Sequence, residues 1–145
     1  MDIVIDFDGT CVTHEFPLVG KDIGAIPVLK KLVKSGHRLI LFTMRSDLQF
    51  KQIDPLINQQ ILNVQGKHLS AAINWFLQNK IPLYGVQTNP TQNTWTNSPK
   101  AYGQLIIDDA ALGCPLKFNS QISENPFVDW QKVNDLLIEM GIIES

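Results

Sequence analysis

The chain has 145 residues, 44% of them hydrophobic and 18% charged, with a formal net charge of −2. That length and apolar content suit one globular domain, residues 1–145, with its own core, and the slightly acidic balance (pI ≈ 5.8) gives no basic field to hold nucleic acid. No apolar run reaches membrane-spanning length, and the first segment lacks a cationic stretch and a cleavage site, so no membrane partner is expected.

The first expected element is a strand. Ile3-Val4-Ile5 is a β-branched apolar run of the kind that lies buried on both faces of a sheet. It leads into Asp6-Phe7-Asp8-Gly9-Thr10. Asp6 and Asp8 share a side-chain direction if the strand continues through them. Like charges that close persist only with a cation or a shared proton, and Mg²⁺ is the usual hard cation for carboxylate oxygens. Gly9 allows a sharp turn, and the Thr10 hydroxyl can bond free backbone amides. Cys11 and Cys114 are two lone thiols in a chain large enough to fold without disulfides, which points to a reducing cytoplasm. With no base evident nearby, Cys11 reads as a small half-buried residue and not as a reactive thiol. His14 and Glu15 would overhang the end of this strand without a catalytic part.

A helix is expected near Ile26 to Ser35. Pro27 suits its first turn, Ile26, Leu29, Leu32 and Val33 form one apolar stripe, and Gly36 ends it. Arg38 to Thr43 reads as a second strand. Residues 46–66 hold only scattered apolar positions (Ile53, Leu56, Ile57, Ile61, Leu62 and Val64), compatible with a hairpin, a loose helix or a small flap. Exposed apolar groups there would serve a contact between two copies of the chain. Leu69, Ala72, Ile73, Phe76 and Leu77 recur at helical spacing, and a third strand is expected over 81–86. Residues 87–99 are polar and turn-prone, and a loop that long inside a compact domain is usually functional or mobile. Gln104 to Asp109 reads as a fourth strand. A last helix is expected from about Pro126, capped by Asn125, burying Trp130, Val133, Leu137 and Met140 and closed by Gly141. Strands alternating with helices imply right-handed crossovers, an α/β class and a mostly parallel sheet.

A parallel sheet aligns its strand ends. Asp6 and Asp8, Thr43, and Asp108 and Asp109 are therefore expected at one rim, where open α/β sheets bind ligands. Lys100 reaches that rim only if the loop before the fourth strand crosses over the edge, and Lys67 and Lys80 are its rivals. A metal, a carboxylate nucleophile, an acid/base, a hydroxyl and a lysine are the parts that phosphoryl transfer through a carboxylate requires.

The order Asp-x-Asp-Gly-Thr (6–10), Thr43 closing the second strand, Lys100, then an apolar strand ending in Asp108-Asp109 resembles the haloacid dehalogenase superfamily. Ser98-Pro99-Lys100-Ala101-Tyr102 followed by Ile107-Asp108-Asp109 is similar to its small, nearly capless phosphatases. The resemblance implies a Rossmann-like three-layer α/β/α sandwich with a minimal cap, since residues 11–25 and 46–66 leave no room for a large one. It implies Asp6 as the nucleophile that becomes an aspartyl phosphate, and Asp8 as the group that protonates the leaving oxygen and then deprotonates water. Mg²⁺ would bind the Asp6 carboxylate, the Asp8 backbone carbonyl and Asp108. Thr43 would donate to a phosphoryl oxygen, Lys100 would offset its charge, and Asp109 would hold a metal-bound water or orient Lys100.

Arg45, two residues after Thr43, reads as a binder of a second charged substrate group or as a surface arginine. Trp75 and Trp95 read as stacking platforms for a substrate base or as cover for residues 46–66. The expected activity is a Mg²⁺-dependent phosphatase acting on a small phosphate ester or on the terminal phosphate of a larger molecule. Two readings from other classes stand beside it. A phosphoacceptor signalling domain uses similar residues, although its acidic pair comes first and its phosphorylated Asp follows, an order this chain does not have. A non-catalytic interaction protein would keep the fold without turnover. A mutase, also an enzyme, generally needs a cap to shield its intermediate from water.

Overall fold

A computed structural model describes residues 1–48 and 66–145. Its centre is a four-stranded, all-parallel sheet built from β1 (Asp2–Ile5), β2 (Arg38–Leu41), β5 (Gly85–Val86) and β6 (Leu105–Ile107), in the order β5-β2-β1-β6. Helices α1 (Ala25–Lys34), α2 (His68–Gln78) and α3 (Trp130–Glu139) complete an α/β fold. No helix among the described residues is long and apolar enough to cross a membrane.

Alternation along the strands sorts the side chains onto two faces. Ile3, Ile5, Leu39, Leu41 and Ile107 point into one core with Leu29 and Leu32 of α1, Ala72 and Phe76 of α2, and Val133 and Leu137 of α3. Val4 and Ile40 point the other way, into a smaller cluster with Ala101 and Tyr84. Among the described residues that second face is covered by the connection 87–104, whose one helical turn is Gln92–Thr94. The connection has to cross the sheet because β5 and β6 lie at opposite edges of it, and the right-handed rule puts it on the face the helices leave free. Gly103 shows how close it runs, since a Cβ there would come within 2.7 Å of Val4 Cγ2.

The polar residues of this connection are used to fasten it. Asn89 and Gln92 are buried. Asn89 Nδ2 donates to Asp2 Oδ2 at 2.8 Å, Gln92 Oε1 accepts from Tyr102 N at 2.9 Å, and Gln92 Nε2 donates to Lys100 O at 3.0 Å. Asp2 also accepts from Arg38 Nε at 2.7 Å.

Several sequence expectations shift. The last helix begins at Trp130, not Pro126, with Asp129 as its cap accepting from Lys132 N at 3.2 Å. Phe127 and Val128, both buried, form β8 and pair with β7 (Leu116–Lys117) instead of entering the helix. Met140 is exposed, and Trp75 packs edge-on against Phe7 at 5.6 Å as part of the core, so it is no substrate platform. The ends of the 46–66 segment pair as β3 (Asp47–Leu48) and β4 (Gly66–Lys67), antiparallel. Whether the rest is a flap, a hairpin or a contact between copies lies outside the described residues.

Asn89→Ala removes the donor to buried Asp2 and frees the crossover from the sheet. A stability loss of about 1–3 kcal/mol is expected, measured by urea unfolding. An unchanged midpoint would show that Asn89 does not hold this layer.

Candidate active site

Register builds the site. Ile5 is opposite both Leu41 and Ile107, so the residues that follow in each strand leave the core at the same rim. Asp6 N donates to Ile107 O at 3.1 Å, and Phe42 N donates to Ile5 O at 2.8 Å, which carries the alignment past the strand ends. Asp6, Thr43, Asp108 and Asp109 thus meet, lining one cavity of about 540 Å³ with Asp8, Arg45 and others.

Asp6, Asp108 and Asp109 each offer one oxygen to a cluster in which these atoms all lie within 4.8 Å of one another. Thr10, fully buried, joins two of them. Its hydroxyl donates to Asp6 Oδ2 at 2.7 Å and accepts from Asp109 N at 3.0 Å, while its carbonyl accepts from Trp130 Nε1 at 2.7 Å. Gly9 is required for the approach, for its φ is +81° and a Cβ there would collide with the Asp109 carboxylate. Asp108 Oδ1 caps Ala110 N at 2.8 Å.

The charges pay for this closeness through protonation. Burial first, then the Asp108 charge and the Asp109 hydrogen bond, push Asp6 up to about 7, against the opposing bond from Thr10. Burial and the Asp108 charge also raise Asp109. Burial pushes the Cys11 thiol well up, and its Sγ lies 3.3 Å from Asp6 O as a structural neighbour.

Asp8 stands apart from this cluster. Both its oxygens accept from Arg45, from Nε at 2.7 Å and from Nη2 at 2.7 Å. Arg45 is only 2% exposed. Its Nη2 also donates to Leu18 O at 2.7 Å, and its guanidinium lies 5.1 Å from the Phe7 ring centre and 5.2 Å from that of Phe16. Arg45 is therefore neither a surface arginine nor free for a second substrate anion, because a buried guanidinium takes a carboxylate partner. The Asp8 side chain, expected to be a proton donor, is instead engaged on both oxygens. Nothing in the motif spacing reveals this pairing.

Thr43 is where the sequence puts it, nearly buried, with Gln87 Oε1 accepting from its amide at 2.9 Å and Gln87 Nε2 donating to its carbonyl at 2.7 Å. Lys100 is not. It is exposed and lines a separate cavity with Trp95, Tyr102 and Ile106. It precedes Gln104, whose amide donates to Asp2 O at the start of β1, so it belongs with the amino-terminal ends of the strands. Lys67 and Lys80 are also absent from the described lining of the acidic cavity. Trp95 meets Tyr102 edge-on at 5.3 Å, well away from the carboxylates. His14 and Phe16 overhang the cavity and line it; the residues after Asp8 were expected to reach over the rim, but Phe16 carried no signal of its own.

No family model matches this chain, and no curated protein matches it. It is similar to a solved structure of a conserved protein from Bacteroides thetaiotaomicron, with 27% sequence identity and a TM-score of 0.68 over 97% of this chain and 91% of that one.

The Asp6 shift sets a pH dependence. The carboxyl has its ordinary value of 3.8 when unfolded and about 7 when folded, so between these the native chain binds a proton that the unfolded chain does not. Its stabilising effect is complete below about pH 4 and is lost as pH rises through about 7. For the metal-free protein, the urea midpoint should fall between about pH 6 and about pH 8 by more than in Asp6→Asn, and Asp6→Asn should be the more stable at the higher pH. Identical pH profiles for the two proteins would remove the strained carboxyl from the account.

Proposed function

We propose that this chain is a Mg²⁺-dependent phosphomonoesterase that works through an aspartyl phosphate on Asp6, as the resemblance to haloacid dehalogenase phosphatases implies. The observation that supports it most is the meeting of Asp6, Asp108 and Asp109 within 4.8 Å at the rim that also holds Thr43.

Three carboxylates are a hard-oxygen donor set, and they fit Mg²⁺. When bound, the ion would supply charge neutralisation for the cluster and for the phosphoryl oxygens. Thr10 engages Asp6 Oδ2, and Asp6 would attack phosphorus through its other oxygen, once the hydrogen bond it shares with Asp109 gives way. The P–O bond to the alcohol would break as the bond from an Asp6 oxygen to phosphorus forms, and the leaving oxygen would take its proton from water. Water then attacks phosphorus, restores the Asp6 carboxylate and releases phosphate. Thr43 lines the same cavity, and its hydroxyl would serve a phosphoryl oxygen. Lys100 has no part in this reading, and the cation it was expected to supply falls to the metal. Asp8 can serve as acid and base only by giving up hydrogen bonds to Arg45.

That engagement of Asp8 favours a second reading. Without a free acid/base, an aspartyl phosphate on Asp6 persists, and the chain acts as a phosphoacceptor switch.

Mg²⁺-dependent hydrolysis of para-nitrophenyl phosphate is expected, abolished by chelation and lowered at least about a thousandfold in Asp6→Asn. Lys100→Ala should stay within about twofold of the parent. Activity surviving in Asp6→Asn would remove the nucleophile. Stable phosphorylation by acetyl phosphate, with no turnover, would replace the phosphatase by the switch.

A further inference from the structure

The cavity that holds the carboxylates also has an apolar part to its lining, made by Phe16, Met44 and Ala110. Met44 is 98% exposed and Phe16 38%, so both keep apolar surface that a ligand can cover. On the same loop as Phe16, Leu18 and Val19 are also exposed.

Phe16 is held as a platform. Its ring lies 5.2 Å from the Arg45 guanidinium carbon and meets the His68 ring edge-on at 5.2 Å. The loop behind it is tied down where Arg45 donates to Leu18 O and where Leu18 N donates to Glu15 O at 2.9 Å. An aromatic side chain fixed before a ligand arrives loses little freedom on binding one.

The charges in the cavity point the same way. Its described lining holds four carboxylates, those of Asp6, Asp8, Asp108 and Asp109, against the single guanidinium of Arg45, which Asp8 occupies on both oxygens. A phosphoryl group has Thr43 and a bound divalent ion to meet it. Beyond these, the described lining offers a second anion on the substrate one imidazole, that of His14, against four carboxylates, so such an anion meets net repulsion.

We propose that the substrate is a phosphate monoester of an uncharged, largely apolar alcohol whose body lies between Phe16 and Met44, and not a bisphosphate, a nucleoside polyphosphate or a phosphorylated carboxylic acid. This rests on the phosphatase reading and adds the leaving group to it. Phe16 and Met44 act on specificity by taking apolar surface out of water, so the gain grows with the length of the alcohol.

The test compares ethyl phosphate, hexyl phosphate and the hexyl ester bearing a terminal carboxylate, with Mg²⁺ and the full chain. The alkyl leaving groups are chemically alike, so differences report contacts and not intrinsic reactivity. kcat/KM should rise about tenfold or more from ethyl to hexyl and fall about tenfold when the carboxylate is added, mostly through KM. Phe16→Ala and Met44→Ala should flatten the ethyl-to-hexyl series, and Phe16→Leu, which keeps an apolar side chain, should retain part of it. Turnover of all three esters at equal kcat/KM, or a preference for the carboxylate, would overturn the proposal and leave the phosphatase standing. Hydrolysis of none, with para-nitrophenyl phosphate still turned over, would overturn the proposal alone; turnover of neither would overturn both.

Discussion

Three carboxylates brought within 4.8 Å of one another are the constraint around which this rim is organised. At that separation, and at an effective dielectric near 20, each ionised pair repels by roughly 3–4 kcal/mol, a large share of what keeps a domain folded. The pairing of β1 with β2 and β6 imposes the arrangement regardless. Burial of Ile3, Ile5, Leu39, Leu41 and Ile107 on one face fixes the register, because a slip of one residue would turn all of them to the other face. Once Ile5, Leu41 and Ile107 are level, Asp6 and Asp108 have nowhere else to emerge. Thr10 then spans the gap with one hydroxyl, donating to one strand end and accepting from the other. The remaining strain is relieved by a proton on Asp6 or by a cation, and the two compete for the same oxygens.

The fourth carboxylate is handled by different means. Asp8 is neutralised by a buried guanidinium in a two-pronged pairing, among the strongest charge-assisted contacts available to side chains. Truncating either partner would leave a buried charge uncompensated. The pairing has a chemical consequence as well as a structural one. It occupies both oxygens of Asp8 and the one guanidinium of the cavity's described lining, so neither group is free to meet a ligand while the pair holds. The same arginine reaches the carbonyl of Leu18 and the ring of Phe16, which couples that loop to Asp8.

What the amino-acid sequence revealed, and what it hid, divides along physical lines. The α/β class, the four parallel strands and the convergence of Asp6, Thr43, Asp108 and Asp109 were legible because strand direction alone decides which rim a strand's last residue occupies. The core stripes of α1 and α2 were legible from helical spacing, although Leu77 proved exposed. The start of α3 was misplaced because Phe127 and Val128 satisfy a strand as readily as a helix, and only their partner Leu116–Lys117 decides between them. Arg45 was misread because no local pattern encodes a contact with a carboxylate 37 positions away. Asp109 was expected to hold a metal-bound water or orient Lys100; it clusters with Asp6 and Asp108, while Lys100 lines a separate cavity.

Lys100 failed for a further reason that bears on how the site is closed. A residue in a connection goes where the connection is led, and this one is led by Asn89 and Gln92, whose buried amides bond Asp2, Tyr102 and Lys100 backbone and side-chain groups near the start of β1. The asparagine and glutamine that made 87–99 read as a functional loop are consumed in attaching it to the sheet. A long polar segment can therefore be structural throughout, provided its amides replace the hydrogen bonds a helix would have made. With that segment committed to the far face and the far rim, the described wall above the carboxylates is left to the short loop carrying His14 and Phe16 and to Met44. A ligand seated among the carboxylates would meet those side chains, and Phe16 among them is held from behind by the Arg45 guanidinium and the His68 ring.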